Sequence, residues 1–204
     1  MTRTRLGRPV GASGEETRRR IIAATMRCVA EVGHAKATIR EIARMANVTS
    51  ASLYNYFPNK SELITATVAA RADAFMPRLR RAAEGPGDVV DRIEAVLDEC
   101  GQLMREYPDL AAFEFAIRAE NVMGADGRDA EGFATFREII EGVVHEAHRR
   151  GELGGRPDPP ATVEAIYALV YGLTELAATL PAEEYQAALS SAKVLVRGAL
   201  FGGA

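Results

Sequence analysis

Several things this chain of 204 residues lacks set limits on what it can be. It has only two cysteines, Cys28 and Cys100, far apart and each inside a helical pattern. They make no metal-type or redox-type pair, which argues against a zinc site or a disulfide framework. Both read as buried free thiols, and a reducing cytoplasm is consistent with that. No run of alternating β-branched residues marks a strand, so no sheet is expected. The N-terminal segment MTRTRLGRPVGASG has no apolar run, and no secretory signal is expected. The most apolar stretch, residues 161–180, carries Glu164 and Glu175 and lies between Pro160 and Pro181. It reads as a buried helix rather than a membrane span, so no membrane partner is expected. Catalytic fingerprints are missing too: no nucleophile elbow, phosphate loop, zinc-protease helix or dinucleotide motif is present. Carboxylates are scattered along helix surfaces rather than gathered near a nucleophile. An enzyme, a metal and a cofactor are therefore not expected. A helical enzyme or small-molecule carrier would also have no need of the basic end described next.

What is present begins with charge. Residues 1–60 hold 11 Lys and Arg against 4 Asp and Glu, a surplus of +7. Residues 61–204 hold 14 against 24, or −10, and the chain nets −3. A basic end on an acidic body suits a chain that touches a polyanion at one end only. Hydrophobic residues make up 48%, enough for a packed core. Nearly every segment has helical period, so the predicted class is all-α. A three-helix N-terminal domain is followed by a larger helical one.

The first helix is predicted over residues 15–32, with Ile21, Ile22, Met26, Val29 and Val32 as its apolar stripe and Gly33 as its stop. Thr38-Ile39-Arg40-Glu41 has the form of a capping box opening a second helix that ends near Met45. Asn47 stands in the turn, where a left-handed backbone is needed and Asn tolerates one. Thr49 caps a third helix running to about Tyr56, and Asn59-Lys60-Ser61-Glu62 opens a fourth. Two short helices about a tight turn are the form of a helix-turn-helix, which lays its second helix in the major groove of DNA. Thr49, Ser50, Ala51 and Ser52 are small or polar, as a groove-facing surface requires. Leu53 and Phe57 are its inward anchors. Tyr54, Asn55, Tyr56 and Lys60 are placed to meet phosphates, contacts that position without specifying. Thr38 and Arg40, at the start of the second helix, could reach the backbone and a guanine edge.

These residues carry a resemblance. From Ile22 to Leu63 the chain resembles the N-terminal domain of the TetR family of bacterial transcriptional regulators. The match runs through Val29-Ala30-Glu31-Val32-Gly33, then Ala37-Thr38-Ile39-Arg40-Glu41-Ile42-Ala43, Val48-Thr49, Leu53-Tyr54-Asn55-Tyr56-Phe57 and Lys60. Many such domains have a glycine where this chain has Asn47. Ala51 and Ser52 stand where family members contact bases or methyl groups. The resemblance covers about a fifth of the chain. It is silent on the N-terminal arm, whose Arg3, Arg5 and Arg8 would suit a narrow minor groove or simply solubilise the chain.

Further helices are predicted over residues 88–106, 108–121, 132–150, 161–180 and 182–201, after a fourth helix that Pro77 either kinks or ends near Met76. The last two are apolar on more than one side. Val163, Ile166, Val170, Leu173, Ala177 and Leu180 form one stripe, and Ala165, Leu169, Gly172 and Leu176 a second. In the last helix Tyr185, Leu189, Ala192 and Val196 lie beside Ala188 and Leu195. A helix apolar on two faces is buried on two faces. The resemblance implies a four-helix dimer interface from this pair, with Ile166, Leu169, Gly172, Leu173, Leu176, Leu189, Ala192 and Val196 in it. A dimer would also supply what one helix-turn-helix lacks, the reading of two half-sites roughly 34–36 Å apart.

The resemblance further implies a small-molecule inducer pocket among the middle helices. Its candidate lining is Phe75, Leu79, Leu103, Met104, Tyr107, Phe113, Ile117, Met123, Phe136, Ile140 and Tyr171, a set in which Met and Phe suit an adaptable cavity. Most of these residues must also serve as ordinary core. Glu141, His145 and His148 share one helix face and could meet a metal or a polar ligand, or stay solvated. The expected domains are a flexible basic arm over residues 1–14, a DNA-binding domain over 15–60 and a ligand-binding and dimerisation domain over 61–204. The expected function is that of a cytoplasmic homodimeric repressor released from operator DNA by an inducer. The main rival is a ligand-independent architectural DNA binder.

Overall fold

The structure is a computed structural model that describes residues 10–123, 131–153 and 158–200. Those residues form nine α-helices and no strand: α1 Val10–Val32, α2 Ile39–Met45, α3 Ser50–Tyr54, α4 Lys60–Ala83, α5 Val89–Glu106, α6 Leu110–Met123, α7 Glu131–Arg150, α8 Pro159–Thr179 and α9 Ala182–Leu195. One π-helical turn, Val196–Leu200, follows α9 where a continuous helix to residue 201 was expected. The chain divides into two compact units, Met1–Thr67 and Val68–Ala204.

In the first unit α1 packs on α2, and α2 on α3. Ile21, Cys28, Val29, Ile42, Leu53 and Leu63 are fully enclosed there, with Thr25 donating its hydroxyl to the Ile21 carbonyl at 2.8 Å. The stripe of α1 is shifted from its expected path: Cys28 lies inside, while Val32 is exposed. The helix also starts at Val10 rather than Glu15. Gly11 and Gly14 lower local helix propensity, a weak preference that context overrides. The expected arm of residues 1–14 therefore yields residues 10–14 to the helix, and Arg3, Arg5 and Arg8 lie outside the described residues.

The second unit buries α8 against α6 and α7, with α5 and α9 completing its core. Pro77 does not end α4, which continues to Ala83. The proline is exposed, so water can reach the carbonyl that the missing N–H leaves unserved. Asp88 and Asp91 form a reciprocal capping box at the start of α5. Gly101 lets α9 approach α5 closely, since a Cβ there would lie 2.7 Å from the Leu189 side chain.

Charged tethers bind the helices at their edges. Lys193 reaches Asp98 at 2.7 Å, and Arg197 reaches Glu94 at 2.8 Å. Arg78 on α4 joins Glu99 and Glu106 on α5. Hydrogen bonds from Arg78, and secondarily Gln102, hold the Glu106 carboxyl down at about 2. A depressed folded pKa adds stability above the ordinary value of 4.5, and that stability is lost as pH falls toward 2. Wild type should therefore be more stable than Glu106→Gln at neutral pH. Urea melts across this acid range should show the difference closing.

Candidate nucleic-acid interface and ligand cavity

The sharp turn of the first unit follows from three short-range choices. Asn47 is the one described non-glycine residue with positive φ, at 53°. The Asn47 N–H donates to the Arg44 carbonyl at 3.1 Å, and the Val48 N–H to the Ala43 carbonyl at 3.0 Å. That pair of bonds is a Schellman closure of α2, which requires the left-handed residue between them. Arg20 on α1 pins the same turn, donating to the Ala46 carbonyl at 2.9 Å. Thr38 and Thr49 then open α2 and α3, accepting from the Glu41 and Ser52 N–H groups. The Glu41 carboxylate does not complete a box; it pairs with Arg44 at 2.6 Å, which holds its pKa below the usual range.

The helix α3 that results is anchored from within and polar without. Leu53 and Phe57 are buried, and the Arg18 guanidinium lies 5.3 Å above the Phe57 ring. Thr49, Ala51 and Asn55 are exposed, Ser50 and Ser52 half-buried, and Tyr54 is 51% exposed. Thr38 and Arg40 are exposed at the start of α2. Two of the expected phosphate contacts do other work. Lys60 donates to the His34 carbonyl, tying α4 to the end of α1. Tyr56 is half-buried, with its hydroxyl beside Gly14 of α1. A side chain held against the protein reaches a phosphate only with what remains of its donors.

In the second unit, a cavity of about 50 Å³ lies among α4, α5, α6, α7 and α8. Phe75, Leu79, Leu103, Met104 and Phe136 line it, as expected for those five. Tyr107 is exposed but its ring packs tilted against that of Phe75, 4.7 Å between centroids. Phe113, Ile117 and Ile140 are buried but lie outside the lining. Tyr171 is not among the lining residues, and the Met123 side chain lies outside the described residues.

The polar end of the cavity was not anticipated. Arg71 of α4 forms a salt bridge with Glu114 of α6, and Arg118 lies 3.9 Å from the same carboxylate. All three line the cavity, and their side chains are between 5% and 12% exposed. Arg118 also lies 5.0 Å from the Tyr171 ring centroid and donates to the Tyr167 hydroxyl at 3.3 Å. Cys100, also in the lining, has its thiol pushed up to about 12 by burial and stays protonated. The clue was available in the i, i+4 spacing of Glu114 and Arg118 within the apolar first half of α6. No grouping of three or more His, Cys, Asp or Glu suited to a metal ion occurs among the described residues. His145 turns its ring to the Glu141 backbone carbonyl, and the Glu141 carboxylate pairs with Arg137.

The expected dimer residues divide sharply. Ile166, Leu173, Leu189, Ala192 and Val196 are buried in the chain's own core, so they present no surface to a partner. The stripe containing Ile166 and Leu173 faces the unit's interior. Leu169, Gly172 and Leu176 belong to the opposite stripe and stay half-exposed. That outer face continues on α9 through Ala187, Ser191, Val194 and Leu195, the last two 71% and 59% exposed.

Residues 21–67 match the family model described as bacterial regulatory proteins, tetR family. That match identifies the N-terminal unit as a TetR-family domain. The HTH-type transcriptional regulator TtgR of Pseudomonas putida is 27% identical over 178 residues, covering 82% of each chain. The crystal structure of a TetR-family regulator from Rhodococcus sp. superposes with a TM-score of 0.74 at 25% identity, covering 89% of this chain and 98% of the other. A transcriptional regulator from Saccharomonospora viridis, solved in complex with choline, has the same fold with a TM-score of 0.76 at 15% identity. It covers 93% of this chain and 100% of that one. A TetR-family chain of this kind is a DNA-binding transcriptional regulator with a helix-turn-helix and is not an enzyme.

Proposed function

We propose that this TetR-family chain is a cytoplasmic homodimeric repressor whose hold on operator DNA is loosened by a small organic ligand. The observation that carries the reading is a division of labour. One compact unit presents a polar, solvent-facing α3 behind a Schellman-closed turn. The other contains a cavity with an apolar wall and a charged end. Residues 15–60 would bind DNA, and residues 61–204 would bind ligand and the second subunit. A neighbour of the same fold was solved with choline, which supports a ligand-binding role for the body.

Exposed Thr38, Arg40, Thr49, Ala51, Tyr54 and Asn55, with Ser50 and Ser52, would form the DNA face. Arg3, Arg5 and Arg8 would add minor-groove contacts. The outer face of α8 and α9, from Leu169 through Leu195, would pair with its copy. Ligand and operator act against each other by linkage: a ligand preferring the DNA-incompetent shape lowers operator affinity by the factor by which operator lowers its own. Helix α4 runs as one piece from Lys60, in the first unit, to Ala83, in the second, and provides a covalent route for that coupling.

Tyr54→Ala tests the reading. A hydrogen bond to a charged phosphate contributes about 1.5–3 kcal/mol, so operator affinity should fall about tenfold or more. Gel shifts would use DNA selected by the wild-type protein from a random pool. Because Tyr54 is exposed, thermal stability should stay within about 0.5 kcal/mol of wild type. Unchanged DNA affinity would remove α3 from the groove.

A further inference from the structure

We propose that Arg20 of α1 is a positioning residue for α3: it fixes where that helix starts, and through that the choice of DNA sequence, without itself holding a phosphate. The inference rests on the reading of α3 as the groove-facing helix. An exposed arginine in the basic end of the chain invites the other role, a phosphate contact. Its hydrogen bonds run elsewhere. One Arg20 nitrogen, Nη2, donates to two carbonyls, that of Ala46 at 2.9 Å and that of Asn47 at 3.3 Å. Ala46 is the C-cap of α2, and Asn47 is the left-handed residue of the turn. The Schellman bonds serve the Ala43 and Arg44 carbonyls, and Arg20 supplies a donor to the pair beyond them. A cation at that place also meets the negative end of the helix dipole.

Position matters here because α3 is short. It has five residues, Ser50–Tyr54, little more than one turn, and a helix that short has scant stability of its own. Helix α1 reaches both ends of it with guanidiniums. Arg20 holds the turn before α3, and Arg18 lies 5.3 Å above the ring of Phe57 after it. A turn that drifts carries Thr49, Ser50, Ala51 and Ser52 with it. Hydrogen bonds to base edges weaken steeply with misalignment. Phosphate contacts position the protein but carry no sequence information directly. Loss of Arg20 therefore falls on sequence-specific binding and spares the general attraction to DNA.

The test compares the full-length protein with Arg20→Met, which keeps an unbranched stem and removes every donor. Titrations use the DNA that the wild-type protein selects from a random pool and an unrelated duplex of equal length, each over a series of salt concentrations. Affinity for the selected DNA should fall about fivefold or more, affinity for the unrelated duplex should stay within about twofold, and the salt slope should not change. A phosphate contact predicts an equal loss on both duplexes and a slope shallower by about 0.9 for each contact removed. That result overturns the proposal. So does unchanged affinity for the selected DNA, even with a lowered melting temperature, because a merely structural role affects stability alone. If Arg20→Met is unfolded at the assay temperature, Arg20→Lys carries the comparison. Lysine keeps the charge but not the planar fork of donors. A phosphate contact would leave its binding at the wild-type level, whereas the positioning role still lowers affinity for the selected DNA alone. Tyr54→Ala reports separately on α3. Unchanged binding there overturns the groove-facing reading and this proposal together; a loss there with no effect at Arg20 overturns this proposal only.

Discussion

Replacing Glu114 with Ala should destabilise the protein by about 3–5 kcal/mol, a large share of the total for a chain of this size. The expected fall in melting temperature is roughly 6–20 °C. The reason is desolvation. Arg71 and Glu114 are nearly inaccessible, and Arg118 is close to it. Removing the shared carboxylate takes a buried counter-charge from both guanidiniums, and breaking a buried ion pair from one side costs far more than losing an exposed one. The surface pair of Arg44 and Glu41, by contrast, should cost about 1 kcal/mol or less when broken. Replacing Arg71, Glu114 and Arg118 together with Leu should recover much of the loss. Urea denaturation of the single and triple variants decides the matter. A single variant as stable as wild type would show that the cluster is solvated in solution.

Leu195→Glu should convert the proposed dimer into monomers, read by light scattering, and weaken operator binding by about a thousandfold or more. Specific DNA binding exceeds non-specific binding by about 10³–10⁷, and a single helix-turn-helix holding one half-site loses most of that margin. The side chain is 59% exposed in the single chain, so the substitution meets no internal packing. Leu173→Glu would behave differently. Leu173 is 6% exposed within the chain's own core, so a carboxylate there should unfold the unit rather than separate subunits. A Leu195→Glu protein that remains dimeric would move the interface off this face.

The contrast between those two leucines shows what sequence can and cannot disclose. The turn at Asn47 and the caps at Thr38 and Thr49 are decided within a few residues, and they were readable because backbone geometry there is local. Periodicity also resolved two apolar stripes on α8. It did not say which stripe faces inward, because that depends on where α6 and α7 come to lie against it. The buried charges were hidden for a related reason. Arg71 and Glu114 stand 43 positions apart, and each alone resembles an ordinary solvated side chain. Only their meeting across two helices permits burial. The early start of α1 at Val10 is a smaller case of the same kind, local propensity yielding to the longer helix.

The size of the cavity bears on timing. Its enclosed part, about 50 Å³, has room for a few water molecules, so an organic ligand would need the walls to part. On the ligand-binding reading proposed above, the ligand-competent conformer would be a minor species, and the apparent dissociation constant would exceed the intrinsic one by the inverse of its population. Association should be slow and should reach a ceiling as ligand concentration rises, the ceiling being the rate at which the walls part. A regulator built this way would ignore brief pulses of its ligand and answer to sustained ones.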